Sequence, residues 1–122
     1  MSDRSDMVLR FVHFINDHNL KGLGSLLAKD HVYIDVDGRP TKGHDRILDL
    51  WKNCFEHDPD YRIKIQLYMT QNDRVIMFGR IDSATTSAKS LLWSVTTVDQ
   101  LIAEWHVFED TTQNRKKVGL MA

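Results

Sequence analysis

The chain has 122 residues, of which 42% are hydrophobic and 27% charged. That is the make-up of one ordinary globular domain, long enough to bury roughly two thirds of the surface its unfolded form exposes. Sixteen basic against seventeen acidic residues, one cysteine and no long apolar run exclude a cationic nucleic-acid surface, an internal disulfide, a multi-cysteine zinc site and a membrane span.

The opening residues Met-Ser-Asp-Arg-Ser-Asp lack the basic and apolar regions of a secretory signal, so a cytoplasmic location is expected. From residues 5 to 18, Met7, Val8, Phe11, Val12, Phe14 and Ile15 recur at helical spacing and predict an amphipathic helix. Asn19 and Leu20 open a short second helix that turns Leu23, Leu26 and Leu27 inward, although Gly22 and Gly24 weaken it. The stretch VYIDVDGRPTKG, residues 32–43, begins as a strand with Val32, Ile34 and Val36 on one side and Tyr33 with Asp35 on the other. Asp37-Gly38-Arg39-Pro40 ends it with turn chemistry.

A third helix runs from about His44 to His57, with Ile47, Leu48, Trp51, Cys54 and Phe55 as its apolar stripe, and Asp58-Pro59-Asp60 stops it. Period-two alternation follows, with Tyr61, Ile63, Ile65, Leu67 and Met69 on one face and Arg62, Lys64, Gln66 and Tyr68 on the other. After a turn at Gln71-Asn72-Asp73 come the strand RVIMFGRI, a polar loop over residues 82–89, and the strands SLLWSVTTV and LIAEWHVF joined across Asp99-Gln100. In the last strand Leu101, Ala103, Trp105 and Val107 are the more apolar set and are expected inward, leaving Glu104 and His106 on the outer face. Residues 112–122 read as a tail, polar and then Val118-Gly119-Leu120-Met121, that frays or covers a pocket mouth.

Three helices followed by a mostly antiparallel sheet make a single α+β domain spanning residues 1–122. A sheet curved around the third helix leaves one end of the resulting cone unfilled, a natural pocket for a small ligand. Tyr33, Trp51, Phe55, Trp93 and Trp105 are the aromatic residues expected to line it. The six histidines are scattered without ligand spacing, so no metal site is expected, and Cys54 reads as a small core hydrophobe.

The order of elements, with VYIDVDGRPTKGHDRILDLW and LIAEWHVFED, resembles the nuclear transport factor 2-like superfamily over about residues 5–110. Within it, the likeness is to small SnoaL-like and ketosteroid-isomerase-like proteins. The most specific pieces are an acid near the end of the first strand, Gly43 opening the third helix, and an Ile-x-Glu-Trp final strand followed by an acid. The resemblance implies a cone-shaped sheet wrapped around the long helix and a homodimer formed through the sheet's outer face. It leaves activity open, because this fold carries isomerases, cyclases, epoxide hydrolases, dehydratases and non-enzymatic binding modules. Residue by residue, it puts the isomerases' general base at Asp35, with Asp37 as the neighbouring choice, their oxyanion tyrosine at Phe11 or Phe14, and their oxyanion aspartate at Ser94. The tryptophan of the epoxide-hydrolase branch falls on Trp105 and its acid on Val107.

Two functional expectations follow. In the first, a cofactor-independent isomerase, cyclase or dehydratase acts on a small hydrophobic carbonyl compound. Asp35 takes the proton, Tyr33 or Ser94 supports the oxygen, and Phe14, Trp51, Phe55, Trp93 and Trp105 hold the rings. In the second, the chain is a non-catalytic ligand-binding or dimerisation module. There Asp35 hydrogen-bonds the turn amides of Gly38 or Arg39, or pairs with Lys42 or Arg39.

Overall fold

The structure, a computed structural model, describes residues 4–83 and 89–120. Most of the expected polar loop, residues 84–88, and Met121 of the tail lie outside the described residues. In chain order the elements are α1 (Arg4–Asn16), α2 (Leu20–Leu26), β1 (Leu27–Ile34), β2 (Pro40–Lys42), α3 (His44–His57), β3 (Arg62–Gln71), β4 (Arg74–Asp82), β5 (Ser90–Val98), β6 (Leu101–Glu109) and α4 (Thr112–Val118). The strands form one curved, unclosed sheet in the order β2-β1-β6-β5-β4-β3, antiparallel except where β1 runs parallel to β6. The helices α1 and α3 lie against its concave face and bury Val8, Phe11, Ile15, Ile47 and Trp51 there.

The start of β1 departs from the expected helix. Leu27 has left helical geometry (φ −78°, ψ 130°) and opens the strand. Between Leu27 and Val32 the parallel register against β6 shifts. There the buried His31 imidazole reaches across, its Nδ1–H donating to the Ile102 carbonyl at 2.7 Å in place of a strand amide. The short β2, expected to be part of a turn, pairs back onto Val32–Ile34. In α2, Asn19 accepts the Gly22 amide at 2.9 Å as an N-cap. Gly22 is required: a Cβ there would lie 2.6 Å from the Phe14 ring.

Two bulges redirect side chains. In β3, Ile65 pairs with Gly79 and Leu67 with Phe78, so Gln66 is an extra residue and everything after it changes face. Leu67 and Met69, expected in the core, are therefore on the outer face and exposed. Gly79 permits this, because a Cβ there would sit 2.0 Å from the Lys64 carbonyl oxygen. In β6 a shift opposite Thr96 and Thr97 makes Ile102, rather than Leu101 or Ala103, the buried partner of Trp105 and Val107.

Within the expected tail, residues 112–118 are helical and lie on the outer face of the sheet. Thr111 accepts the Asn114 amide as N-cap, and Gly119 adopts the left-handed conformation as C-cap, so Thr112–Val118 forms a helix. It packs on the outer face, where Val118 closes over Ile76 and Leu92 with Phe78, Phe108 and Leu120 around them. The Arg115 guanidinium sits 5.0 Å above the Phe78 ring and pairs with Asp110. That part of the face expected to carry a homodimer is covered by the chain itself.

Candidate functional site

The interior is dominated by aromatic rings, as the alternation of the strands and the stripe of α3 require. Trp105 stands opposite Tyr33 in the register and packs on Phe11 (centroids 5.2 Å apart), Trp51 (6.4 Å) and Trp93 (6.5 Å). Trp93 and Trp105 are each 1% exposed, so as packed they offer no surface to a ligand. Phe55 stacks on His18 at 4.2 Å and leans on Trp51. Phe14 packs against α2 at Gly22, and Phe11 is the aromatic of α1 that reaches the tryptophans. Surface hollows lie away from these rings. One of about 570 Å3 lies at the start of α3, lined by Leu27, Lys29 and residues 43–46, and one of about 290 Å3 lies between α1 and β3. Neither is lined by an expected pocket residue.

Polar groups gather at the end of the cone where α3 finishes. The Tyr33 and Tyr61 rings meet the Trp51 indole edge-on at 6.1 and 6.0 Å, and both tyrosines keep part of their surface in solvent. Burial pushes the Tyr33 phenol up to about 12, with the Cys54 thiol and the Asp35 carboxylate adding to the shift. Tyr61 is pushed well above its ordinary value by burial, then by Tyr33, Cys54 and Asp58. Cys54 is raised to about 11 by burial and then by the Asp58 charge. All three therefore keep their protons at neutral pH, and both phenols are hydrogen-bond donors there.

Asp58 was expected only as a helix stop. It does end α3, its amide donating to the Cys54 carbonyl at 2.9 Å. It is also a buried carboxylate near the Tyr61 phenol and the Cys54 thiol, with the Ser83 hydroxyl donating to its Oδ2. Asp58 and Tyr61 are the site residues that sequence reasoning missed. The signal available was a carboxylate one helical turn beyond Cys54 and three residues before an inward tyrosine.

Asp35 follows β1 on the Tyr33 side, but its carboxylate is engaged locally. Its Oδ1 accepts the amides of Asp37 and Arg39, each at 2.9 Å, in the exposed turn between β1 and β2. Ser94 is not brought to the rings. It pairs with Ile76 and His106 on the outer face, where the Arg74 Nη1 donates to it at 3.4 Å. His106 lies on that same face as expected, stacked on Phe108 at 3.9 Å. No group of three or more metal-ligating side chains occurs among the described residues.

A family model for the SnoaL-like domain matches residues 8–110. The chain belongs to the SnoaL-like domain family. The solved structures this SnoaL-like chain is similar to share its fold at low identity. A nuclear transport factor 2-like protein of unknown function from Cytophaga hutchinsonii is 16% identical with a TM-score of 0.77, covering 90% of this chain and 92% of that one. A ketosteroid-isomerase-like protein from Catenulispora acidiphila, in complex with trimethylamine, is 17% identical with a TM-score of 0.76 over 93% and 92%. TerC, co-crystallised with polyporic acid, is 18% identical with a TM-score of 0.75 over 94% and 97%. No curated protein matches the sequence. At these identities the likeness is one of fold, the nuclear transport factor 2-like cone. No helix among the described residues is long and apolar enough to cross a membrane.

Proposed function

We propose that this SnoaL-like chain binds a small, flat, largely apolar molecule bearing a carbonyl or enol oxygen, and that it does so at the mouth of the cone rather than in its depth. The observation that carries this reading is the pair of protonated phenols, Tyr33 and Tyr61, flanking the Trp51 edge at the end of α3. The rings deeper in, Trp93 and Trp105, are packed against their neighbours. A ligand face resting on the half-buried tyrosine rings, which Trp51 backs from within at 4% exposure, with its oxygen held by a phenol, uses both features. That relatives of the same fold are described in complex with trimethylamine and polyporic acid supports a small-molecule role.

The test is a titration of tryptophan fluorescence and melting temperature with hydroxyquinones and ring ketones. A hit is expected whose affinity falls about five- to tenfold in Tyr33→Phe, the worth of one hydrogen bond of about 1–1.5 kcal/mol. Absence of any stabilising compound, or affinity unchanged in both Tyr33→Phe and Tyr61→Phe, overturns it.

A second reading, proton transfer by an isomerase, cyclase or dehydratase, is favoured by the buried Asp58 beside the Tyr61 phenol. In this reading the base is Asp58, and Asp35 orders the turn. Deuterium uptake at the α-carbon of a bound ketone, abolished by Asp58→Asn and kept in Asp35→Asn, is the expected result. Binding without exchange leaves the first reading alone.

A further inference from the structure

The geometry points to the free edge of β3 as a self-association surface, on which a second copy of this chain adds its own β3 in the antiparallel sense. The inference stands apart from the small-molecule reading and uses none of its residues.

The two edges of the sheet are unlike. β2 is three residues long and begins at Pro40, which has no N–H to offer a partner. β3 is ten residues long and pairs with β4 on one side only. Its first half is guarded. The Asn16 side chain occupies the Ile63 backbone as a neighbouring strand would, accepting its N–H at 2.7 Å and donating to its carbonyl at 2.9 Å. Lys64 and the bulge at Gln66 follow.

Past the bulge the guards stop. Leu67, Tyr68 and Met69 are 57%, 46% and 40% exposed, three successive large apolar side chains on an open strand. The other exposed large hydrophobics among the described residues, Val36, Leu50 and Val98, are scattered singly. Gln66 to Gln71 carries no charge at all. Natural edge strands avoid this combination unless something pairs with them.

Charge selects the occupant. The uncharged run is bracketed by Lys64 before it and Asp73 after it, both exposed. An antiparallel copy brings the Lys64 end of each chain to the Asp73 end of the other, the two side chains lying diagonally across the ladder, whereas a parallel copy sets like beside like. Paired residues in an antiparallel ladder share a face. A two-fold axis at Tyr68 therefore opposes Leu67 to Met69 of the second copy on the outer side, continuous with Phe78 and Leu120.

Sedimentation velocity and light scattering on the full chain, from micromolar to near-millimolar concentration, test this. A concentration-dependent dimer is expected, in which the amides of residues 67–71 gain hydrogen-exchange protection as it forms. Met69→Lys and, at a second exposed position, Thr70→Lys are expected to give folded monomers by circular dichroism. Lys64→Asp is expected to weaken the dimer several-fold, and Lys64→Asp combined with Asp73→Lys to restore it. A wild type that stays monomeric throughout overturns the inference. So does a dimer that survives both lysine variants with residues 67–71 exchanging freely, which would place the contact on the flat outer face, or a charge swap that fails to recover association.

Discussion

Replacing Asp35 separates two jobs open to one carboxylate. As a turn brace, its Oδ1 accepts two amides at 2.9 Å each, while the backbone closes the same turn from the Asp35 amide to Arg39 at 3.1 Å and from the Gly38 amide to Asp35 at 2.9 Å. Asp35→Ala removes both side-chain bonds. Because the turn is exposed, water takes over part of each, and about 0.5–1 kcal/mol per bond is the appropriate figure, so about 1–2 kcal/mol in all. Asp35→Asn keeps an oxygen of the same reach and gives up only the charge, for a loss below about 0.5 kcal/mol. Urea unfolding followed by tryptophan fluorescence measures both, as a shift in midpoint at constant slope. The turn matters to the site because it carries β2 back onto Tyr33, with Thr41 as the partner of Tyr33. Ligand affinity should therefore follow stability, intact in Asp35→Asn and lowered in Asp35→Ala. Equal losses in the two variants would show that the charge does the bracing. A turnover abolished in Asp35→Asn at unchanged stability would return Asp35 to the role of base and refute the brace.

Gly79→Ala should destabilise the fold by about 2–4 kcal/mol, since the new Cβ meets the Lys64 carbonyl at 2.0 Å and forces β3 and β4 apart. Deleting Gln66, the extra residue opposite that position, should remove most of the penalty, and equal penalties in the two backgrounds would disconnect the glycine from the bulge. The buried His31 has its pKa lowered, by burial foremost, so the unfolded chain binds its proton first. Stability is then complete above pH 6.5 and lost as pH falls from there toward the folded value. His44, raised chiefly by its bond to the Gly24 carbonyl, works in the opposite sense, favouring the fold below pH 6.5 and losing that contribution as pH climbs through its folded value. Unfolding midpoints from pH 7 to pH 5 should therefore fall more steeply in the wild type than in His31→Gln, and parallel curves would rule His31 out. Val118→Asp should undock α4 at a cost of about 2–3 kcal/mol, with hydrogen exchange accelerating over residues 112–118 and tryptophan emission unchanged. Retained protection there would contradict the docking of α4 through Val118.

What the sequence made legible, and what it did not, divides along physical lines. The stripes of α1 and α3 and the inward tryptophans follow from local periodicity, which burial merely enforces. The two bulges do not follow from it, because one extra residue is tolerated or refused by the facing strand. The one local hint was a glycine inside RVIMFGRI, where an isolated glycine in a strand signals a bulge or a close backbone approach. Ser94 is a different case. Alternation around the inward Trp93 already assigns it to the outer face, and only the positional likeness to an isomerase aspartate drew it toward the rings. Asp58 went unrecognised because its stop function and its chemistry use different atoms: the backbone ends α3 while the carboxylate lies buried beside the Tyr61 phenol. The site depends on this last point. α3 must stop where it does for its final turn to bring Cys54 near Tyr33 and Asp58 near Tyr61, and the chain must return at once for Tyr61 to meet Trp51. The groups able to do chemistry thus collect where the helix runs out, a position set by the length of α3 against the sheet and not by any motif.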